Sequence, residues 1–251
     1  MKIGVSASIN TPDLAGLGFD YLEENVQDFL VPEQDAFVPR QSTPPLFAAN
    51  CFLPGALKCV GPQVDRDRIL RYATSAFKRA EDCGIRIIVF GSGGSRSLPE
   101  GFERGRAMEQ FVSLLKELGP LAEARQLILA VEPIHAPECN FINTLAEGAE
   151  AVGTCGHRAV GLLCDFFHMA RMGEGPEEVR KYASLLAHAH IAEKEKRTAP
   201  GVKGDDFRGY LKALKDSGYQ GALSYECDWS AIADEAPKSL VALKKQINEA
   251  A

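Results

Sequence analysis

The chain has 251 residues, with 28 basic against 34 acidic side chains for a formal charge of −6, 45% hydrophobic and 25% charged residues. This balance excludes a disordered or fibrous protein and leaves ample chain for a buried core. The apolar runs are too short for a transmembrane helix, and the mild negative charge without basic clusters argues against nucleic acid as a partner. The N-terminal MKIGVSASINTPD has no apolar stretch of signal-peptide length, so a cytoplasmic protein is expected, with small polar ligands as partners. Seven cysteines, Cys51, Cys59, Cys83, Cys139, Cys155, Cys164 and Cys227, are scattered without C-x-x-C spacing and read as reduced core thiols.

Short apolar runs rich in β-branched residues alternate with amphipathic segments, the rhythm of a parallel sheet with crossover helices. Strands are predicted over Lys2–Ala7, Phe19–Glu23, Phe47–Leu53, Arg86–Gly91, Leu127–Glu132, Ala159–Cys164, Leu185–Ile191 and Ala222–Glu226. The first crossover holds only a short helix, Pro12–Leu17, and Val31–Pro45 is irregular. Beyond it, Ile69, Ala73, Ala76, Phe77 and Ala80 keep a helical period, as do Met108, Phe111, Val112 and Leu115 in a helix that Pro120 is expected to bend or interrupt. Leu145, Ala149 and Val152 follow a capping box of Thr144 and Glu147. Phe207, Leu211 and Leu214 precede a Gly218 stop, and Leu240, Leu243 and Ile247 form a last helix with Pro237 near its start. Eight strand–helix units in about 250 residues predict an α/β (β/α)8 TIM barrel, one domain over residues 1–251. A doubly wound sheet competes less well, because no glycine-rich phosphate fingerprint follows the first strand.

In such a barrel the carboxyl ends of the strands converge on one mouth. The last four predicted strands end at Glu132, Asp165, His190 and Glu226. One carboxylate at a strand end is usually a cap or an ion-pair partner. Three carboxylates and an imidazole crowded together need a cation or protons to relieve their repulsion. The set suits one divalent metal ion, Mn²⁺ first, with Mg²⁺, Co²⁺ or Zn²⁺ also compatible. His188 shares a strand face with His190, so one is a ligand candidate and the other lies behind it or in the core. The glycine-rich loop Gly91–Gly105 around Arg96 is either a lid or anion-binding turn, or a permissive connection. Glu193–Lys203 is a mobile cover or a solvated loop, and Trp229 walls the pocket or packs at the rim.

The motifs VEPIHAPECN, CDFFHM, HAHIAE and SYEC, in order at successive strand ends, together with FGSGGSRSLPEGF, resemble the xylose isomerase-like barrels. The resemblance is specifically to the sugar isomerase/epimerase branch that includes the D-tagatose 3-epimerases and hydroxypyruvate isomerases. The resemblance implies metal ligation by Glu132, Asp165, His190 and Glu226, acid/base roles for Glu132 and Glu226, and substrate contacts from His168 and Glu138. It also implies an arginine on the loop after the seventh strand. Counting from His190 gives Lys196, whereas counting back from Pro200–Gly201 gives Arg197, the residue chosen here. His135 stands where related motifs carry asparagine. A homo-oligomer is implied by the resemblance alone.

The expected chemistry is sugar or hydroxy-keto-acid isomerisation or epimerisation, by proton transfer through a metal-stabilised enediolate. The alternatives are a dehydratase on the same scaffold, a non-catalytic sugar-binding barrel, and an endonuclease of the related DNA-repair barrel. The last would need several metals and a basic groove, against five histidines and a charge of −6.

Overall fold

The computed structural model describes residues 1–250. Eight parallel strands close into a barrel in chain order: β1 (Lys2–Ser6), β2 (Tyr21–Asn25), β3 (Leu46–Asn50), β4 (Ile87–Phe90), β5 (Ile128–Val131), β6 (Val160–Asp165), β7 (Leu186–Ile191) and β8 (Ala222–Tyr225). β8 pairs with β1, Lys2 opposite Ala222 and Val5 opposite Tyr225, so no strand edge is left open. The helices are α1 (Arg66–Asp82), α2 (Gly93–Arg96), α3 (Arg104–Glu123), α4 (Leu145–Cys155), α5 (Phe166–Met172), α6 (Pro176–Tyr182), α7 (Arg208–Asp216) and α8 (Ile232–Glu249). This is the (β/α)8 barrel expected from the sequence.

The strands are covered on both faces, which is why β4 and β6 are buried throughout. Tyr21, Ala48, Val89, Ala130 and Leu163 fill the barrel interior. Gly4 leaves the space that the Tyr21 ring occupies, since a Cβ there would lie 2.2 Å from it. Outside, α1 turns Ile69, Ala73, Ala76, Phe77 and Ala80 inward, the face its period predicts.

Several local expectations are corrected. The second strand starts at Tyr21 and runs on to Asn25, which puts Glu23 inside it. The third ends at Asn50, where Cys51 turns into a left-handed conformation with φ 54°. The short helix expected over Pro12–Leu17 is a 3₁₀ turn (Leu14–Leu17), and a single π-helical turn (Val26–Leu30) precedes the irregular Val31–Pro45. Pro120 does not interrupt α3, because it sits in the last turn and leaves only the carbonyl of the exposed Lys116 without an N–H donor. Pro237 is the sixth residue of α8, not its start. In the capping box, Thr144 accepts from the Glu147 N–H at 3.3 Å, while the Glu147 carboxylate reaches the Asn143 N–H at 2.6 Å, one residue earlier than expected.

Glu174 accepts the Leu145 N–H at the head of α4 (3.0 Å). Burial pushes its carboxyl up to about 7 from 4.5, with the charges of Glu178 and Glu147 adding to the shift. An acid whose folded pKa exceeds its unfolded value binds more protons when folded. Its contribution is therefore best below about 4.5 and is lost as pH rises toward about 7. The group is half-exposed and screened, so the loss is on the order of 1 kcal/mol. Urea midpoints across this range should fall with pH, and Glu174→Gln, which keeps an acceptor for Leu145, should flatten the profile.

Candidate active site and metal centre

Glu132 follows β5, Asp165 ends β6, His190 lies near the end of β7 and Glu226 follows β8. Each offers a ligand atom, and these atoms all lie within 4.8 Å of one another. His190 Nδ1 is hydrogen-bonded to Glu226 Oε2 at 3.2 Å, and Glu132 Oε1 lies at the same distance without a hydrogen bond. Glu132 Oε1 and Asp165 Oδ2 are thus buried carboxylate oxygens with no hydrogen-bond partner. Orphaned oxygens of this kind are costly, and a cation between them removes the cost. One divalent ion fits this donor set. Gly91 clears room for the Glu132 carboxylate, because a Cβ there would stand 2.2 Å from Glu132 Oε2.

Beneath the cluster lies a carboxylate that the sequence reading did not single out. Glu23 Oε1 bonds His190 Nε2 and its Oε2 bonds His188 Nε2, both at 2.9 Å, while the Ser224 hydroxyl donates to Oε2 at 2.5 Å. His190 therefore turns Nδ1 toward the cluster and anchors Nε2 to Glu23, the carboxylate–histidine arrangement that orients metal-binding imidazoles. His188 is the histidine behind. Burial opposes ionisation of Glu23, but His190 and His188 outweigh it and hold the carboxyl down to about 2. Burial likewise disfavours the imidazolium of His190, yet Glu23 and Glu226 push its pKa well up.

The two candidate acid/base carboxylates are driven apart. Burial, reinforced by the charge of Glu226, raises Glu132. Burial opposes the Glu226 anion too, but Arg197 and His190 overcome it and hold that carboxyl far below the usual range. Arg197 Nη2 contacts Glu226 Oε2, and Nε donates to the Glu226 carbonyl at 3.0 Å. Asn50, also unforeseen, donates to Glu226 Oε1 at 2.8 Å. Lys196 and Arg197 adopt consecutive left-handed conformations (φ 58° and 50°), which turn Arg197 inward and leave Lys196 exposed.

His168 Nε2 lies 3.6 Å from Asp165 Oδ2, and its Nδ1 is 2.8 Å from His135 Nδ1, with the His135 N–H at 3.4 Å. Two donors converging on Nδ1 leave the Nε2 proton facing the site. Burial and the neighbouring His168 lower the His135 pKa, helped by Arg171 and Arg197. Those two guanidinium charges oppose a second cation at the group His135, Glu138 and His168, in which the two histidines are hydrogen-bonded to each other and Glu138 stands 3.6 Å from His135 Nδ1. Glu138 stands at the rim, 3.9 Å from Arg197 Nη1. A cavity of about 270 Å³ opens over the cluster, lined by Gly91, Glu132, Glu138, His168, Arg197 and Glu226.

Two charged residues in the loops around the mouth are buried, and Trp229 follows the rim-packing alternative. Arg96 is fully buried and donates to the Phe90 carbonyl at 3.0 Å and to the Glu132 carbonyl. It clamps the ends of β4 and β5 together and does not face a ligand. Glu193 is also fully buried. Its carboxylate accepts from Thr198 Oγ1 (2.8 Å) and from the N–H groups of Gly201 (2.8 Å), Lys203 (2.5 Å) and Gly204 (2.9 Å). The segment after β7 is thereby wrapped around one anion. Trp229 stacks on Tyr225 at 6.1 Å and packs at the rim, outside the cavity lining.

No helix among the described residues is long and apolar enough to cross a membrane. An inosose isomerase of Bacillus licheniformis is 32% identical over 126 residues, 46% of this chain and 45% of that protein. The matches span 45%, 62% and 40% of the length of that protein, of a putative hydroxypyruvate isomerase of Drosophila melanogaster and of a D-psicose 3-epimerase of Enterocloster bolteae. Among solved structures, a D-allulose 3-epimerase from Methylomonas sp. in complex with D-allulose superposes with a TM-score of 0.83 at 19% identity, over 98% of this chain and 97% of that one. The IOLI protein with a binding zinc atom superposes with a TM-score of 0.72 at 19% identity, over 100% and 98%. These likenesses share the fold. Residues 46–246 match the family model for the xylose isomerase-like TIM barrel, and with four-fifths of its length inside that match, the chain belongs to this family.

Proposed function

We propose that the protein is a divalent-metal-dependent sugar isomerase or epimerase that moves a proton on the carbon beside a carbonyl. The observation that carries this reading is the pair of orphaned oxygens, Glu132 Oε1 and Asp165 Oδ2, facing His190 and Glu226 within 4.8 Å. Glu132, Asp165, His190 and Glu226 would hold one cation, Mn²⁺ before Zn²⁺ given three carboxylates to one imidazole. When bound, the cation polarises the carbonyl and offsets the charge that develops as the proton leaves. The relatives named isomerases and epimerases support the same chemistry.

The chain's own groups do the rest. Glu226, kept anionic by Arg197 and His190, takes the proton from one face of the substrate carbon. Glu132, which burial drives toward its protonated form, returns one to the other face. Action on one carbon inverts it, and two carboxylates of opposed pKa fit epimerisation best. His168 offers its Nε2 proton to a substrate oxygen, and Arg197 orients both Glu226 and the substrate.

The direct test incubates metal-loaded protein with ketoses in D₂O. Deuterium entering the substrate carbon together with appearance of an epimer is the expected result. Loss of water from the substrate would mark a dehydratase, and no exchange at all would overturn the reading. Glu23→Gln keeps the shape of the buried acceptor while removing its charge, so it should weaken metal binding by about 10–100-fold in a competition titration.

A further inference from the structure

Beneath the four proposed donors the barrel interior carries a row of polar side chains, at a depth where such barrels are filled mainly by branched apolar residues. Tyr21 on β2, Gly4 on β1, Ser224 on β8 and His190 on β7 stand opposite one another across consecutive strands. Gly4 has no side chain, and the Tyr21 ring takes the space a Cβ would need. The phenol thereby reaches across a whole strand to the Ser224 hydroxyl at 2.7 Å. Ser224 donates to Glu23 Oε2, and Glu23 Oε1 holds His190 Nε2. Tyr21, Ser224, Glu23 and His190 are all buried, so water does not stand in for a missing partner.

Ser224 has one hydroxyl proton, and it goes to Glu23 Oε2 at 2.5 Å. The Tyr21 phenol is therefore the donor in its bond to Ser224. Glu23 Oε2 also takes His188 Nε2 at 2.9 Å, and since His188 Nδ1 is buried with no partner, the ring proton belongs on Nε2. Every donor in the row thus points toward one carboxylate. Hydrogen bonds aligned in this way reinforce one another, so the bond from Tyr21 makes Ser224 a stronger donor. With Oε2 pinned by Ser224 and His188, Oε1 stays against His190 Nε2, and His190 Nδ1 stays directed at the proposed donor cluster. A phenylalanine would fill the same space as Tyr21, and the hydroxyl has no hydrogen-bond partner but Ser224 among the described residues.

We infer that Tyr21 is a positioning residue of the metal site: acting through Ser224, its hydroxyl fixes the orientation of the Glu23 carboxylate and with it the presentation of His190 to the cation. Tyr21 is itself no ligand. This rests on the metal-dependent reading above and extends the site to a side chain three hydrogen bonds behind a proposed ligand.

The test is a competition titration of Mn²⁺ between the protein and a colorimetric chelator, for the parent, Tyr21→Phe, Ser224→Ala and Glu23→Gln, and for the first two combined with Glu23→Gln; melting curves check that each variant folds. Loss of one buried hydrogen bond from the row should weaken Mn²⁺ binding by at least about threefold in Tyr21→Phe and in Ser224→Ala. In the Glu23→Gln background either substitution should cost a smaller factor, because the charged group it acts through is gone, whereas a residue that matters only for packing costs the same in both backgrounds. A smaller loss in folded Tyr21→Phe, or an equal or larger factor in the Glu23→Gln background, overturns the inference and leaves the proton-transfer reading standing. A parent protein that binds no Mn²⁺ overturns both.

Discussion

Glu132→Gln and Glu226→Gln are each expected to lower epimer formation by about 10² or more, the scale of a positioned acid or base. Both are also proposed metal ligands, so metal content must be measured with rate, and the comparison made at equal loading. The informative difference lies in isotope exchange. Glu226 is the anion, held by Arg197 and His190, and Glu132 is the carboxyl that burial drives toward protonation. Glu132→Gln should therefore still wash deuterium into the epimer that Glu226 deprotonates while failing to form the other. Glu226→Gln should lose exchange into that epimer. Near-normal turnover in both metal-loaded variants would remove the pair from the mechanism.

The second large effect is expected far from any reacting atom. Glu193→Ala removes the acceptor shared by Thr198, Gly201, Lys203 and Gly204, and with it the anchor of the segment that turns Arg197 inward. A displacement near 1 Å in a positioning group can cost about 10²-fold. The variant should lose turnover on that scale, and because Arg197 contacts the proposed donor Glu226 the comparison is made at equal metal loading. Glu193→Gln keeps one carbonyl acceptor and should recover part of the loss. A Glu193→Ala protein with normal turnover, folded as judged by its melting curve, would show that Arg197 needs no such support.

The proposed donors on β5 and β6 were legible because Glu132 and Asp165 are the first charged residues after buried apolar runs, whereas on β7 and β8 His188 and Ser224 come earlier and the resemblance decided. Lys196 against Arg197 was harder, since two consecutive left-handed residues decide the direction and spacing does not encode them. Glu23 escaped for a different reason. Its partners His188 and His190 lie 165 and 167 residues away, and only closure of the barrel brings them together. The Glu23–Glu24 doublet at the end of an apolar strand was the available signal. The run of charges from Glu193 to Lys203 suggested a solvated loop, because a sequence does not reveal that one of those charges is buried and satisfied by backbone N–H groups. Helical periodicity placed α1 and α3 well. It offered nothing in the first two crossovers, where the chain makes single turns of other helix types.

The four proposed donors come from β5 to β8, whereas β2 and β3 contribute the buttressing Glu23 and Asn50, and the connections after β1 and β2 hold no full helix. The proposed donors and the residues of β2 and β3 that buttress them thus occupy opposite arcs of one ring. Grafting new connections after β1 and β2 should retune which molecules are accepted without rebuilding the reactive half. The early portion of the gene is therefore the natural target for a library aimed at altered sugar preference.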